Sequence, residues 1–329
     1  MKSIFSLLLF ICFLFPLSGC QRQTAPVSRT GFYFDTVIQI SIYKKEALFA
    51  ESLLDDCFQL AAVYESRFSK TQEGSDIWKL NQAKGKPVEV HTDTILLLQT
   101  ALHYAELTHG RIDPTIAPVS SLWNFSQPKE ASLPSEESLT EALSHVDYHR
   151  LKISDTTVTL EDPDAALDLG FIAKGFIADR IKEYLLTQDV DSAIINLGGN
   201  VLTIGVKPDG SPFQVGIQQP FSPTGTAALT LPANNISLVS SGIYERYFEK
   251  EGKLYHHILD TKTGYPIQNN LYAVTILSPS SVEGDALSTT CFVLGLEEGM
   301  AFIESLEEVE AVFLTSDGTI HTSSGLSLP

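Results

Sequence analysis

The spacing of apolar and polar positions divides the chain into a short apolar leader and a long run of mixed elements. Residues 1–19 carry one basic residue, Lys2, and then an apolar run from Ile4 to Leu17 that Pro16 interrupts. This fits a cleaved export signal better than the roughly 20 residues that a membrane-spanning helix needs. The leader ends in Leu17-Ser18-Gly19-Cys20, a lipobox pattern, so Cys20 is the expected lipidated first residue of the mature chain. Diacylation would supply enough buried chain for stable anchoring. Residues 20–30 are polar and contain proline, which predicts a tether, with the folded domain spanning 31–329.

Within that domain, Thr36 to Tyr43 alternates apolar and polar positions and predicts a half-buried strand. A helix is predicted from about Lys45 to Ser66, with Leu53, Leu54, Cys57, Leu60, Ala61 and Val63 on one stripe. Another runs from Thr94 to His109 and stops at Gly110. Beyond a polar segment around 127–138 the pattern gives a short helix, strands near Leu151 and Val158, and a helix from Gly175 to Leu186. From Ala193 to about Leu271 it gives mostly short strands. Two helices, Val282 to Leu294 and Glu297 to Leu306, precede a final strand pair. Strands and helices neither alternate strictly nor segregate, so the expected class is α+β, in one large globular unit of one or two lobes.

The formal charge of −18 becomes about −19 once Lys2 leaves with the signal, from 21 basic against 40 acidic residues. Such a surface disfavours nucleic acid, and a polyanionic ligand would need a cation or a local basic group to approach it. Of the four cysteines, Cys12 departs with the leader and Cys20 is lipidated, which leaves Cys57 and Cys291 as buried free thiols inside helical patterns. Neither GxxxxGK[ST] nor GxGxxG is present, so neither a P-loop nor a dinucleotide Rossmann turn is predicted.

Five segments concentrate chemistry-bearing residues. Gly110 to Phe125 reads as a helix stop and a proline-stiffened loop; Trp123 there suits either the core or a wall for a flat ring. Leu167 to Arg180 places Lys174 and Asp179 at a helix start, where a phosphate or a simple cap would fit. Gly198 and Gly199 follow an apolar strand, marking either a bulge or a close approach by a ligand. His256 and His257 occupy successive positions of a strand and so face opposite sides, which can present one imidazole to a cleft as a general base. Asp285 and Thr289 are four apart in a helical pattern, so their oxygens can share one hard cation or serve as first-turn residue and core filler.

In this order the five segments resemble the ApbE family, from about Phe34 to Val312. The resemblance implies a T-fold-related architecture that binds FAD with Mg²⁺ and transfers FMN to a serine or threonine hydroxyl of an acceptor protein, releasing AMP. Some members instead hydrolyse FAD to FMN and AMP, and a non-catalytic flavin-binding lipoprotein is the third alternative. Asp285 and Thr289 fall on the family's metal ligands, with the Phe171 carbonyl as a third. Asp168, Lys174 and Ile258 fall on FAD-contacting positions, and His257 on the histidine near the attacking hydroxyl, with Asp285 essential to catalysis through the metal. Asp35, Asn81, Trp123 and Ser241 complete the implied cofactor side. The implied partners are FAD, an acceptor flavoprotein such as a membrane electron-transport subunit, and a membrane held through the lipid on its extracytoplasmic face.

The chain departs from the family pattern at named places. Phe34-Asp35-Thr36 stands where Met-Gly-Thr is usual, an aromatic is replaced near Thr71, and Trp-Gly-Phe has become Trp123-Asn124-Phe125. Asp-Pro-x-Thr-Gly has become Asp260-Thr261-Lys262-Thr263-Gly264. These changes lie on the ring side and leave the metal and phosphate side intact.

Overall fold

A computed structural model describes residues 25–43, 45–125 and 132–327; the leader and Cys20 lie outside them. The helices are α1 (Ala47–Phe68), α2 (Asp76–Gln82), α3 (Thr92–Leu107), α4 (Ala117–Trp123), α5 (Glu136–Leu143), α6 (Ala173–Thr187) and α7 (Ser281–Ile303). The first strands are β1 (Val27–Tyr33), β2 (Thr36–Ile42), β3 (Val88–Glu89), β4 (Leu151–Ser154), β5 (Thr157–Leu160), β6 (Ser192–Leu197) and β7 (Asn200–Gly205). There follow β8 (Phe213–Gln218), β9 (Ala227–Ala233), β10 (Ser237–Gly242), β11 (Tyr247–Lys250), β12 (Lys253–His256), β13 (Leu271–Ser278), β14 (Glu310–Thr315) and β15 (Ile320–Thr322).

Eight strands form one antiparallel sheet in the order β1-β2-β6-β7-β10-β13-β14-β15. Period-two alternation sends Ile38, Ile40 and Ile42 of β2 and Ala193, Ile195 and Leu197 of β6 to one face, where α1, α6 and α7 bury them. The opposite face is covered by the β8–β9 hairpin, whose Phe213, Val215, Ile217 and Leu231 pack on Leu238, Leu277 and Val312. A smaller cluster around Trp123, Phe248 and Tyr255 ties α4 and α5 to the β11–β12 ribbon. The α+β class therefore holds, and the three clusters belong to one globular unit.

The structure moves several sequence-derived boundaries. The tether expected over 20–30 is already strand from Val27, because β1 pairs with β2 from Val27↔Ile42 to Tyr33↔Thr36. Its polar run Ser28-Arg29-Thr30 hides the strand; the Arg29 side chain is paired with Glu51 and Asp55 of α1. The loop expected after Gly110 contains α4, with Pro118 in the first turn, where its missing N–H costs no helical bond. The two terminal helices form α7, with a break at Gly295, whose φ of 83° and ψ of 179° are non-helical. Cys57 and Cys291 are buried and free, and burial pushes the Cys57 thiol up to about 12.

Two tight turns set the edge of the functional region. Gly198 and Gly199, both with positive φ, close the β6–β7 hairpin, and a Cβ on Gly198 would lie 2.0 Å from Thr36 Oγ1. Phe34 and Asp35 close the β1–β2 hairpin with φ of 52° and 56°, and the Phe34 N–H donates to Glu65 Oε1 at 2.6 Å. The position of Asp35 thus demands left-handed backbone, which aspartate tolerates better than most residues, and this accounts physically for aspartate where a glycine is usual.

Asp179 was expected at the start of α6; it lies mid-helix and caps α7 instead. Its carboxylate accepts from Ser281 N and Val282 N, both at 2.9 Å, and from Ser280 Oγ at 3.1 Å. Asp179→Ala is expected to destabilise the fold by about 2 kcal/mol, the loss of a cap that bridges two helices. Thermal unfolding checks this, and an unchanged midpoint would show that the cap carries no weight.

Candidate active site

The first turns of α6 and α7 meet at Gly175, where an added Cβ would lie 2.3 Å from the Ser281 carbonyl oxygen. This close approach brings Asp285, 3% exposed, up to the start of α6. Gly175 is the third residue of α6 after its N-cap Ile172, so its N–H has no acceptor within the helix. It donates to Asp285 Oδ2 at 2.8 Å, and the Phe171 carbonyl, which precedes the N-cap, is taken by no backbone donor among the described residues. Lys174 Nζ lies 3.4 Å from Asp285 Oδ1 and donates to the Gly170 carbonyl at 3.2 Å.

One turn along α7, Thr289 Oγ1 lies 3.0 Å from Ser241 Oγ, which is also 2.8 Å from Ser288 Oγ. Ser288 in turn donates to the Asp285 carbonyl at 2.9 Å. The end of β10 is thereby tied to α7 beside the carboxylate. A carboxylate, a hydroxyl and a backbone carbonyl that no backbone donor takes make an all-oxygen donor set, which fits a hard cation of the Mg²⁺ or Ca²⁺ type. A second acidic group, His145 with Asp162 and Asp164, also comes together. Its charges are already compensated: His145 Nδ1 lies 3.0 Å from Asp162, Arg150 donates to Asp162 at 2.9 Å, and Lys84 pairs with Asp164 at 2.9 Å.

Asp168 lies on the loop that leads into α6. Its Oδ1 accepts from Gly170 N at 3.0 Å, and its Oδ2 accepts from Lys70 at 2.6 Å and from Ser120 at 3.2 Å. Loss of hydration works to raise its pKa, but the Lys70 charge and these donors outweigh it and hold the carboxyl below its usual range. Glu245 is reached by solvent yet ringed by protein. That environment pushes its carboxyl up to about 7 against the charges of Lys174 and Arg246, with Asp285 adding to the rise.

The two histidines divide as alternation requires. His256 is buried, its Nε2 3.1 Å from the Ile267 carbonyl and its ring edge-on to Phe292. His257 is half-buried on the other side, with Nδ1 3.3 Å from the Arg246 carbonyl. Lost hydration, with the Arg246 charge beside it, lowers the His257 pKa to about 3, so the ring is neutral at pH 7. With Nδ1–H assigned as donor to that carbonyl, Nε2 presents a lone pair.

Other expected contacts need correction. Trp123, read as a wall for a flat ring, is 0% exposed; its indole N–H donates to the Gly264 carbonyl at 2.8 Å, and it stacks on Phe125 at 5.8 Å. It is enclosed by Phe125, Phe248, Tyr255 and Tyr265 and offers no face to a ligand. The Asn81 side chain is taken up by Leu167, accepting from its N–H at 2.7 Å and donating to its carbonyl at 3.1 Å, so it positions Asp168. Ile258 is buried; its N–H is directed to His256 Nδ1, and its carbonyl accepts from Ile267 N at 3.0 Å. Asp35 stands exposed on its turn, on the Thr36–Gly198 side of the sheet end. Lys70 lies in none of the five segments and was not anticipated; Ser120 and Glu245 lie inside two of them, Gly110–Phe125 and Ser240–Pro266, but no spacing singled them out.

The ApbE family profile matches residues 34–313. A FAD:protein FMN transferase of Treponema pallidum is 33% identical over 335 residues, covering 96% of this chain and 92% of that protein. One of Klebsiella pneumoniae is 37% identical over 277 residues, covering 83% and 85%. Among solved structures, the flavin transferase ApbE of Vibrio cholerae superposes with a TM-score of 0.80 at 26% identity, covering 91% of this chain and 97% of that one. The ApbE protein of Thermotoga maritima gives a TM-score of 0.83 at 29% identity, with the same coverage.

Proposed function

The chain belongs to the ApbE family, and from that membership and the oxygen donors of the cleft we propose that it transfers FMN from FAD to a serine or threonine hydroxyl of an acceptor protein. The observation that carries this reading is the Gly175 N–H bond to Asp285, which holds a buried carboxylate against the start of α6, one helical turn before Thr289. Asp285, Thr289 and the Phe171 carbonyl would hold Mg²⁺, which supplies charge neutralisation at the pyrophosphate.

Lys174, in the first turn of α6, adds a positive charge where an acidic protein must receive an anionic substrate. Asp168 accepts hydrogen bonds from donor groups of the dinucleotide. Neutral His257 takes the proton of the incoming hydroxyl, whose oxygen attacks the FMN-side phosphorus. The pyrophosphate P–O bond breaks and its electron pair leaves on the phosphate of AMP. A bound pyrophosphate would bring negative charge near His257 and raise its pKa from about 3, strengthening it as a base in the complex.

Incubation of the purified protein with FAD and Mg²⁺, with and without an acceptor domain, separates transfer from hydrolysis. Transfer predicts AMP release only with acceptor, in equal amount to the FMN attached. Rapid FMN release without acceptor would replace it by a pyrophosphatase that uses water. The lipobox supports anchoring on the extracytoplasmic face of a bacterial membrane. Cys20→Ala is therefore expected to yield exported protein without lipid mass that no longer partitions into membranes; membrane partition with the lipid mass retained would refute the anchor.

A further inference from the structure

Asp168 is held by a side chain to which the family resemblance assigns no role. Lys70 follows the end of α1, and its loop is pinned on both sides. Ser69 Oγ accepts from Gln72 N at 3.0 Å, and Ser75 donates to the Ser69 carbonyl. From there the ammonium crosses to Asp168 Oδ2 at 2.6 Å and lies 3.5 Å from Ser120 Oγ on α4. The Asp168 backbone is fixed independently: its N–H donates to the Pro114 carbonyl at 2.8 Å, and Asn81 clamps the preceding Leu167. Thus the segments around Lys70, Ser120 and Asp168 converge on one carboxylate on the loop that leads into α6.

We propose that Lys70 is a positioning residue for dinucleotide binding, fixing Asp168 as a charged, acceptor-only carboxylate aimed at hydroxyl or amino donors of the ligand. The proposal rests on the reading above that this cleft binds FAD. A carboxylate ringed by protein takes up a proton more readily when its cation is removed, and a protonated Asp168 would turn from acceptor to donor. The ion pair itself is partly solvated, with side chains 36% and 22% exposed, and pairs of that kind contribute little to folding. Removing Lys70 should therefore change ligand recognition far more than stability.

The test is FAD affinity in Mg²⁺ for the wild type, Lys70→Met, Lys70→Arg, Asp168→Asn and the Lys70→Met/Asp168→Asn double variant, with thermal midpoints for each. Methionine keeps the length of the apolar stem, so a packing role alone would leave affinity unchanged. Lys70→Met should weaken FAD binding about tenfold with its midpoint within about 2 °C of wild type, and Lys70→Arg should recover most of the loss. The double variant should bind no more weakly than Asp168→Asn, because Lys70 acts through that carboxylate. Wild-type affinity in Lys70→Met, or losses that multiply in the double variant, would overturn the proposal alone. A wild type that binds no FAD would overturn the functional reading and this proposal with it.

Discussion

Asp285→Ala is expected to lower FMN transfer by about 10³-fold or more, because the cleft loses the only carboxylate of its proposed metal donor set. Thr289 and the Phe171 carbonyl would remain as neutral oxygens, which hold a hard dication poorly. The structure also sets a stability effect. Asp285 is buried and accepts from the Gly175 N–H, so truncation leaves that donor unpaired and should destabilise by about 1–3 kcal/mol. Asp285→Asn separates the two effects, since its amide oxygen can still accept from Gly175 while the charge is gone. It should fold like wild type and remain inactive, and rates with thermal midpoints check both parts. Near-wild-type transfer by a folded Asp285→Ala would remove the metal site from the mechanism.

Gly175→Ala should be the most damaging single methyl group in the region. Its Cβ would lie 2.3 Å from the Ser281 carbonyl oxygen and 2.6 Å from the Val282 Cα, and both are backbone atoms of α7 that no rotamer change can move. The helices must separate, which should destabilise by about 2–4 kcal/mol. Activity should fall with it, because the Gly175 N–H that orients Asp285 moves away. Denaturant midpoints and transfer rates are the measurements; an unperturbed midpoint would mean that the two helices meet less closely than described.

The elements that were legible in the sequence are those whose burial is written in their own spacing. The helical stripe Leu53, Leu54, Cys57, Ala61 and the alternation of Ile38, Ile40, Ile42 both reach the main core. Seven-residue α2 and α4 are too short for a stripe to emerge. For α2 a local signal did exist, the Ser75 cap that accepts from Trp78 N. β1 was obscured because the consecutive polar residues Ser28, Arg29 and Thr30, with Gly31, separate Val27 from Phe32 and Tyr33, so no alternation shows.

The same logic divides the site. Asp285 and Thr289 could be paired because four residues make one helical turn, and His256 and His257 could be set apart because successive strand residues face opposite ways. Nothing local tells whether an indole lines a cleft or fills a core, so spacing left Trp123 open between the two, and the structure places it in the core. Nor does spacing reveal that Asn81 clamps Leu167, or that Lys70, 98 positions from Asp168, supplies its counter-charge. Those contacts are made by the fold.

The central claim is that this cleft moves FMN onto another protein, and mass analysis of the acceptor tests it most directly. An acceptor domain bearing a serine or threonine target is incubated with the enzyme, FAD and Mg²⁺, beside a parallel reaction with Asp285→Asn. The account predicts that the acceptor gains one FMN on a hydroxyl side chain, with one AMP released, and that the Asp285→Asn reaction leaves the acceptor unmodified. An acceptor labelled to the same extent by both proteins, or FAD consumed by the wild type with no mass gained by a competent acceptor, would contradict it.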